Sequence, residues 1–248
     1  MRYFIGNWKM FGVPKSISII NKINTFVKKD KNTKKYRAII TPPHTLLENF
    51  SKQFKKKNIR IGAQNCFHKD MFSSNTGAIS PYMVKNIGAE YIIIGHSDNR
   101  AEGDTNSMIK NKISYALKNK LKVIFCIGEN KTQKNNKQTF NILKKQLITA
   151  LDKKLNINQI IVAYEPIWSI GTGTIPKNEE LLNTIIFIKK ILTEIFKSKK
   201  VPPVLYGGSV DGSNIGQFIT LPIIDGFLIG GASKSSKKFI DIIKNYYR

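Results

Sequence analysis

Ala163–Gly173 reads AYEPIWSIGTG and closes an apolar run that begins at Ile160. The run is a buried strand. Its polar end is Glu165, and Pro166 follows at once. Pro166 fixes φ at the start of the next segment, and Gly171 and Gly173 free the backbone at its finish. Trp168 and Ile170 lie between them. A segment stiff in the middle and hinged at both ends has the build of a lid. A carboxylate that loses water beneath an apolar lid becomes a stronger base. Taken alone, the stretch reads first as a strand, a surface acid and a turn, so its neighbours decide.

Working outward, the same pattern recurs. Short apolar runs begin near Tyr3, Arg37, Ile59, Tyr91, Lys122, Ile160, Val204 and Phe227. Between most of them apolar residues recur at helical spacing, as in Ile17, Ile20, Ile23, Phe26 and Val27. Helices are expected after Pro14, over Leu46–Phe54, from Pro81 to near Gly88, and over Thr105–Lys118 and Phe140–Leu151. Two more are expected over Asn178–Phe196, with acids in the first turn and lysines in the last, and over Phe239–Tyr246. Most strands are apolar without alternation, as in a parallel sheet covered on both faces. No linker or low-complexity tract interrupts the 248 residues. Strict β-then-α order over this length predicts one domain, residues 1–248, folded as a single (β/α)8 barrel. An open doubly wound sheet is the alternative, but no G-x-G-x-x-G follows the first strand. In a barrel, residues just past the strand ends share one mouth. Asn7, Lys9, His96, Glu165, Ser209 and Gly230 are such residues.

Composition excludes several classes. No apolar run approaches ~18 residues, so no membrane span is expected. The opening MRYFIGNWKM has no signal-peptide pattern. Cys66 and Cys126 form no C-x-x-C pair, and the three histidines form no H-E-x-x-H. The expectation is a reducing, cytoplasmic setting without structural zinc. The formal charge is +25, from 41 Lys+Arg against 16 Asp+Glu. The cations are spread over helix ends and loops, whereas a polyanion binder concentrates them in one stripe. The spread fits compositional drift, with steering of a small anionic substrate as a by-product. No specific nucleic acid is expected as a partner.

Read in order, GNWKM, GAQNC, ISPYM, IGHS, FCIGE, AYEPIWSIGTG, YGGSV and GGAS closely resemble the triosephosphate isomerase family. The match runs from Ile5 to the final helix. The resemblance implies a TIM barrel that interconverts dihydroxyacetone phosphate and D-glyceraldehyde 3-phosphate in glycolysis and gluconeogenesis, without metal or organic cofactor. It implies Glu165 as the base, His96 as a neutral imidazole electrophile and Lys9 as the electrostatic stabiliser. Asn7 hydrogen-bonds within the same pocket. Gly171, Ser209, Gly230 and Gly231 bind the phosphate, and residues 166–174 form the closing lid. Paired glycines at the seventh and eighth strand ends present bare N–H groups to an anion, which suits that part. The resemblance also implies a homodimer through loop 65–80.

The chain departs from the family at Asp98, Asn99 and Ala78, and also at Thr174, where many relatives carry lysine and little effect is expected. Asp98 stands where the family has glutamate, Asn99 where it has arginine, and Ala78 where it has an acid. Asp98 is one methylene shorter, and the expectation is that it does not reach Lys9 without a shift or a water. Losing Ala78's acid and Asn99's arginine together leaves no orphan charge, so the dimer is expected to persist with a looser interface. A different class of function is kept open: a basic barrel that binds polyanions, with weakened catalysis.

Overall fold

The computed structural model describes all 248 residues. Eight parallel strands close into a barrel in chain order. They are β1 (Arg2–Asn7), β2 (Tyr36–Thr41), β3 (Ile59–Ala63), β4 (Tyr91–Ile94), β5 (Lys122–Ile127), β6 (Ile160–Tyr164), β7 (Val204–Tyr206) and β8 (Gly226–Ile229). Closure is made by β1 pairing with β8, with Ile5 beside Leu228. The helices are α1 (Ile17–Lys29), α2 (His44–Phe54), α3 (Pro81–Asn86), α4 (Ser97–Ala101), α5 (Asn106–Lys118), α6 (Lys131–Asn135), α7 (Thr139–Ala150), α8 (Asn178–Phe196) and α9 (Ser236–Tyr246).

Two cores explain the unbroken apolar strands. Successive strand residues point to opposite faces. Ile5, Ile39, Tyr91, Ile93, Ile124, Cys126, Ile161, Ala163, Leu205 and Leu228 fill the barrel interior. The intervening residues, such as Phe4, Ile92, Phe125, Val162 and Tyr206, join the larger core between strands and helices. Each fully buried aliphatic side chain contributes about 1.5–3 kcal/mol, so both faces of every strand stabilise the same closure. The period of two also aims the site. Ile161 and Ala163 face inward, and Glu165 continues that phase above the last layer. Asn7 does the same above Ile5.

The sequence reading and the structure differ in detail. The barrel and seven main helices stand as expected, with ends moved by up to three residues. The short helices α4 and α6 were not anticipated, because five residues carry too little periodicity to read. Between β7 and β8 the chain makes only a 3-10 turn, Ile215–Thr220. The lysines expected in the last turn of α8 lie beyond it. The helix ends at Phe196, and Lys197 caps it in the left-handed region, φ 50°.

The loop between β3 and α3 is fixed at its base. Lys112 is buried and reaches Asp104 at 2.7 Å and Asn65 Oδ1 at 3.0 Å. Asn65 O accepts a hydrogen bond from His44 Nε2 at 2.9 Å, and burial holds the His44 imidazole below its usual pKa. Phe67 N–H donates to Ile79 O, closing the loop's neck.

Candidate active site

Glu165 sits one residue past β6 and is 3% exposed. Its backbone N–H donates to Ile127 O at 2.7 Å, extending the β5–β6 ladder to the carboxylate itself. Two glycines make room for it. A Cβ on Gly128 would stand 1.9 Å from Glu165 O, and one on Gly207 would stand 2.7 Å from Glu165 Cγ. Beneath it, burial and the neighbouring carboxylate push the Cys126 thiol well up, so this sulfur stays protonated. Glu165 Oε1 lies 3.4 Å from His96 Nε2, and Glu165 Oε2 has no hydrogen-bond partner.

His96 is the N-cap of α4. Its Nδ1 accepts the backbone N–H of Asp98 at 3.0 Å. A nitrogen that accepts carries a lone pair, so the proton of the neutral ring belongs on Nε2, the atom facing Glu165. The Asp98 carboxylate is also near Nδ1, at 3.5 Å. That is too long to compete with the amide, and the same oxygen is engaged by Lys9.

Lys9 follows β1 in the left-handed region, φ 53°. The turn is held by Lys9 N–H donating to Asn7 Oδ1 and by Gln64 Nε2 donating to Lys9 O, each at 3.0 Å. Its ammonium meets Asp98 Oδ2 at 3.1 Å. This corrects the expectation that aspartate is too short. Lysine's four-carbon stem supplies the reach that the missing methylene removes.

The segment 166–174 lies across the mouth. Gly173 N–H donates to Ser209 Oγ at 3.1 Å, and Ser209 Oγ donates to Ser169 O at 2.7 Å. Gly171 and Gly173 take φ of 70° and 75°, the left-handed values that the two glycines allow. At the start of this segment, Trp168 Nε1 donates to Glu129 Oε1 at 2.9 Å, and Tyr164 Oη donates to the same oxygen at 3.2 Å. Glu129 is fully buried, and desolvation raises its pKa.

These groups enclose one cavity of about 450 Å³. All eight residues singled out from sequence line it: Asn7, Lys9, His96, Glu165, Gly171, Ser209, Gly230 and Gly231. Lys238 and Asp211 also line it and were missed; one lysine among 41 basic residues carries no signal. The cavity has an acid and an imidazole at one end, an ammonium beside them, and glycine-rich turns at the other. No group of three or more His, Cys, Asp or Glu side chains is placed to hold a metal ion.

A family model described as "Triosephosphate isomerase" matches residues 2–246. The chain belongs to the triosephosphate isomerase family. It is thereby an intramolecular aldose–ketose isomerase. The triosephosphate isomerase of Borrelia garinii subsp. bavariensis is 40% identical over 253 residues, covering 98% of each chain. That of Alkaliphilus oremlandii is 37% identical over 245 residues, covering 96% of each. Among solved structures, the crystal structure of triosephosphate isomerase from Bartonella henselae aligns with a TM-score of 0.90 at 29% identity. It covers 100% of this chain and 99% of that one. No helix of the barrel is long and apolar enough to cross a membrane.

Proposed function

We propose that residues 1–248 form one catalytic unit. It interconverts dihydroxyacetone phosphate and D-glyceraldehyde 3-phosphate by proton transfer through an enediolate. Glu165 takes a proton from the carbon beside the carbonyl and returns it to the adjacent carbon. One carboxylate serves both because the carbons are neighbours. His96 Nε2–H hydrogen-bonds the two oxygens in turn, and Lys9 offsets the negative charge that develops on them. Asn7 holds the turn that aims Lys9. The phosphate lies against the N–H groups of Gly171, Gly230 and Gly231 and the hydroxyl of Ser209. Because Gly171 belongs to segment 166–174, gripping the phosphate and covering Glu165 become one event, which couples remote binding to the chemical step.

The observation that carries this reading is the 3.4 Å approach of Glu165 Oε1 to His96 Nε2 in a cavity that Lys9 also lines. Two acid–base groups and a cation converge on a space that ends in glycine turns suited to an anion. General acid–base catalysis contributes typically ~10²–10⁴-fold. A coupled assay on D-glyceraldehyde 3-phosphate should therefore show Glu165→Ala slower by about that factor. Equal rates in the two proteins would remove Glu165 from the mechanism.

The same reading takes the active form to be a homodimer through loop 65–80. Its support is the exposure of large apolar side chains in and outside that loop: Met10 is 98% exposed, Phe72 75% and Met71 50%. Both cysteines are free and buried, in keeping with a cytosolic setting.

A further inference from the structure

One cation near the lid is tied to both of its ends. Lys134, on α6, places its ammonium 3.5 Å from the centroid of the Trp168 indole. The same ammonium pairs with Glu180 Oε1 at 2.6 Å. Trp168 lies in the first hinge of segment 166–174, and Glu180 in the first turn of α8, just beyond the second. The edge of the indole is held by Glu129, from the end of β5, at 2.9 Å. Trp168 is therefore gripped on its face and its edge by the stretch that joins β5 to α7, which includes α6. Ile167 N–H donates to Glu129 O at 3.0 Å, adding a backbone tie to the same hinge.

We propose that Lys134 is a positioning residue for catalysis: through Trp168 and Glu180 it favours the arrangement of segment 166–174 that covers the cavity. The inference rests on the isomerase reading of the site. Lys134 touches no reacting atom. A cation over an indole is attracted by the ring's negative face, and more strongly when partly desolvated. Lys134 meets that condition, its side chain being 29% exposed. The attraction exists only while Trp168 keeps its place, so it biases the hinge toward the covered state. The middle of the segment is held by the Ser209 contacts and by Ser169 Oγ against Tyr206 Oη at 3.0 Å, while residues 171–174 are exposed. Control from the hinge therefore bears on how often Gly171 stands over the anion end. A ligand that needs the covered state binds in proportion to its population.

Lys134→Met keeps the apolar stem and removes the charge. Two readouts test the proposal: kcat and KM for D-glyceraldehyde 3-phosphate, and the dissociation constant of inorganic phosphate followed by tryptophan fluorescence. The expected result is a loss of kcat/KM of about three- to tenfold. The phosphate dissociation constant should rise by a similar factor. Lys134→Arg should restore both to within about twofold, since arginine also lies over aromatic faces. Lys131→Ala, an exposed neighbour on α6, should change neither. Wild-type kinetics and phosphate binding in Lys134→Met would overturn the proposal. Should that variant fail to fold, Glu180→Gln carries the test. It is expected to weaken phosphate binding about twofold, and unchanged binding would overturn the proposal. A wild-type protein without isomerase activity would instead overturn the reading of the site; the phosphate titration still measures the effect of Lys134.

Discussion

One wall of the barrel mouth carries Glu165, Glu129 and Trp168; another carries Lys9 and Asp98. The first wall is finished within the chain. Glu165 is 3% exposed and Glu129 fully buried, and Tyr164, Trp168 and Lys134 tie the region of Glu129 to the start of segment 166–174. The second wall is open. The side chains of Lys9 and Asp98 are 32% and 55% exposed, and the apolar residues near Lys9 in sequence, Met10 and Val13, face solvent. On the proposed mechanism, the carboxylate that moves the proton needs a dry, rigid setting, which one chain provides. On the same mechanism the ammonium serves as a charge and tolerates an exposed setting, which the proposed dimer completes.

The contrast breaks first at Lys9. Lys9→Met removes the ammonium with little loss of packing. Turnover should fall by about 10²–10³-fold, as when one charge-stabilising donor is lost, while the melting temperature stays near wild type. A fall in stability matching the fall in rate would place Lys9 in the scaffold. Phe72→Asp tests the open wall from its partner side. The dimer dissociation constant should rise by tenfold or more, the range for losing a central aromatic anchor. Specific activity should then depend on protein concentration; sedimentation and dilution assays report both. An unchanged assembly would show that the exposed ring lies outside the contact.

The closed wall has its own test in the pH dependence of stability. Burial raises the Glu129 pKa above its unfolded value. The native state therefore binds the proton more tightly than the unfolded chain. The resulting stabilisation is complete below the unfolded pKa and is lost as pH rises through the folded one. Glu129→Gln keeps an oxygen for Trp168 and Tyr164 but carries no charge. Its melting temperature should match wild type near pH 4 and exceed it by about 2–4 °C at pH 7. A gap independent of pH would contradict this account of the buried carboxyl.

The smallest effect separates strain at the site from strain elsewhere. All five non-glycine residues with positive φ are lysines: Lys9, Lys56, Lys120, Lys137 and Lys197. The last four follow helix ends, where glycine is usual. Lys120→Gly and Lys197→Gly should each stabilise by about 1 kcal/mol, read from denaturant midpoints, with activity unchanged. Lys9 bears the same strain, and there the side chain is what the site needs.

How legible each wall was follows from the same physics. The barrel could be read because parallel strands buried on both faces leave unbroken apolar runs such as Tyr91–Ile94. Glu165 could be read because it interrupts such a run just before a proline and a glycine-hinged segment. Lys9 has no such context, and only the family resemblance singled it out. The grip of Lys134 on Trp168 was invisible because it joins positions 34 residues apart through side-chain geometry alone. The Lys9–Asp98 pair was misjudged by comparing one side-chain length and leaving out the flexible partner.

The central claim is that Glu165 moves a proton between adjacent carbons inside the closed wall. The direct measurement is turnover of dihydroxyacetone phosphate in D₂O, followed by proton NMR. The account predicts deuterium at the carbon beside the carbonyl in the products formed by the wild type. It predicts loss of that incorporation with Glu165→Ala. Deuterium incorporation at the same rate in both proteins would contradict it.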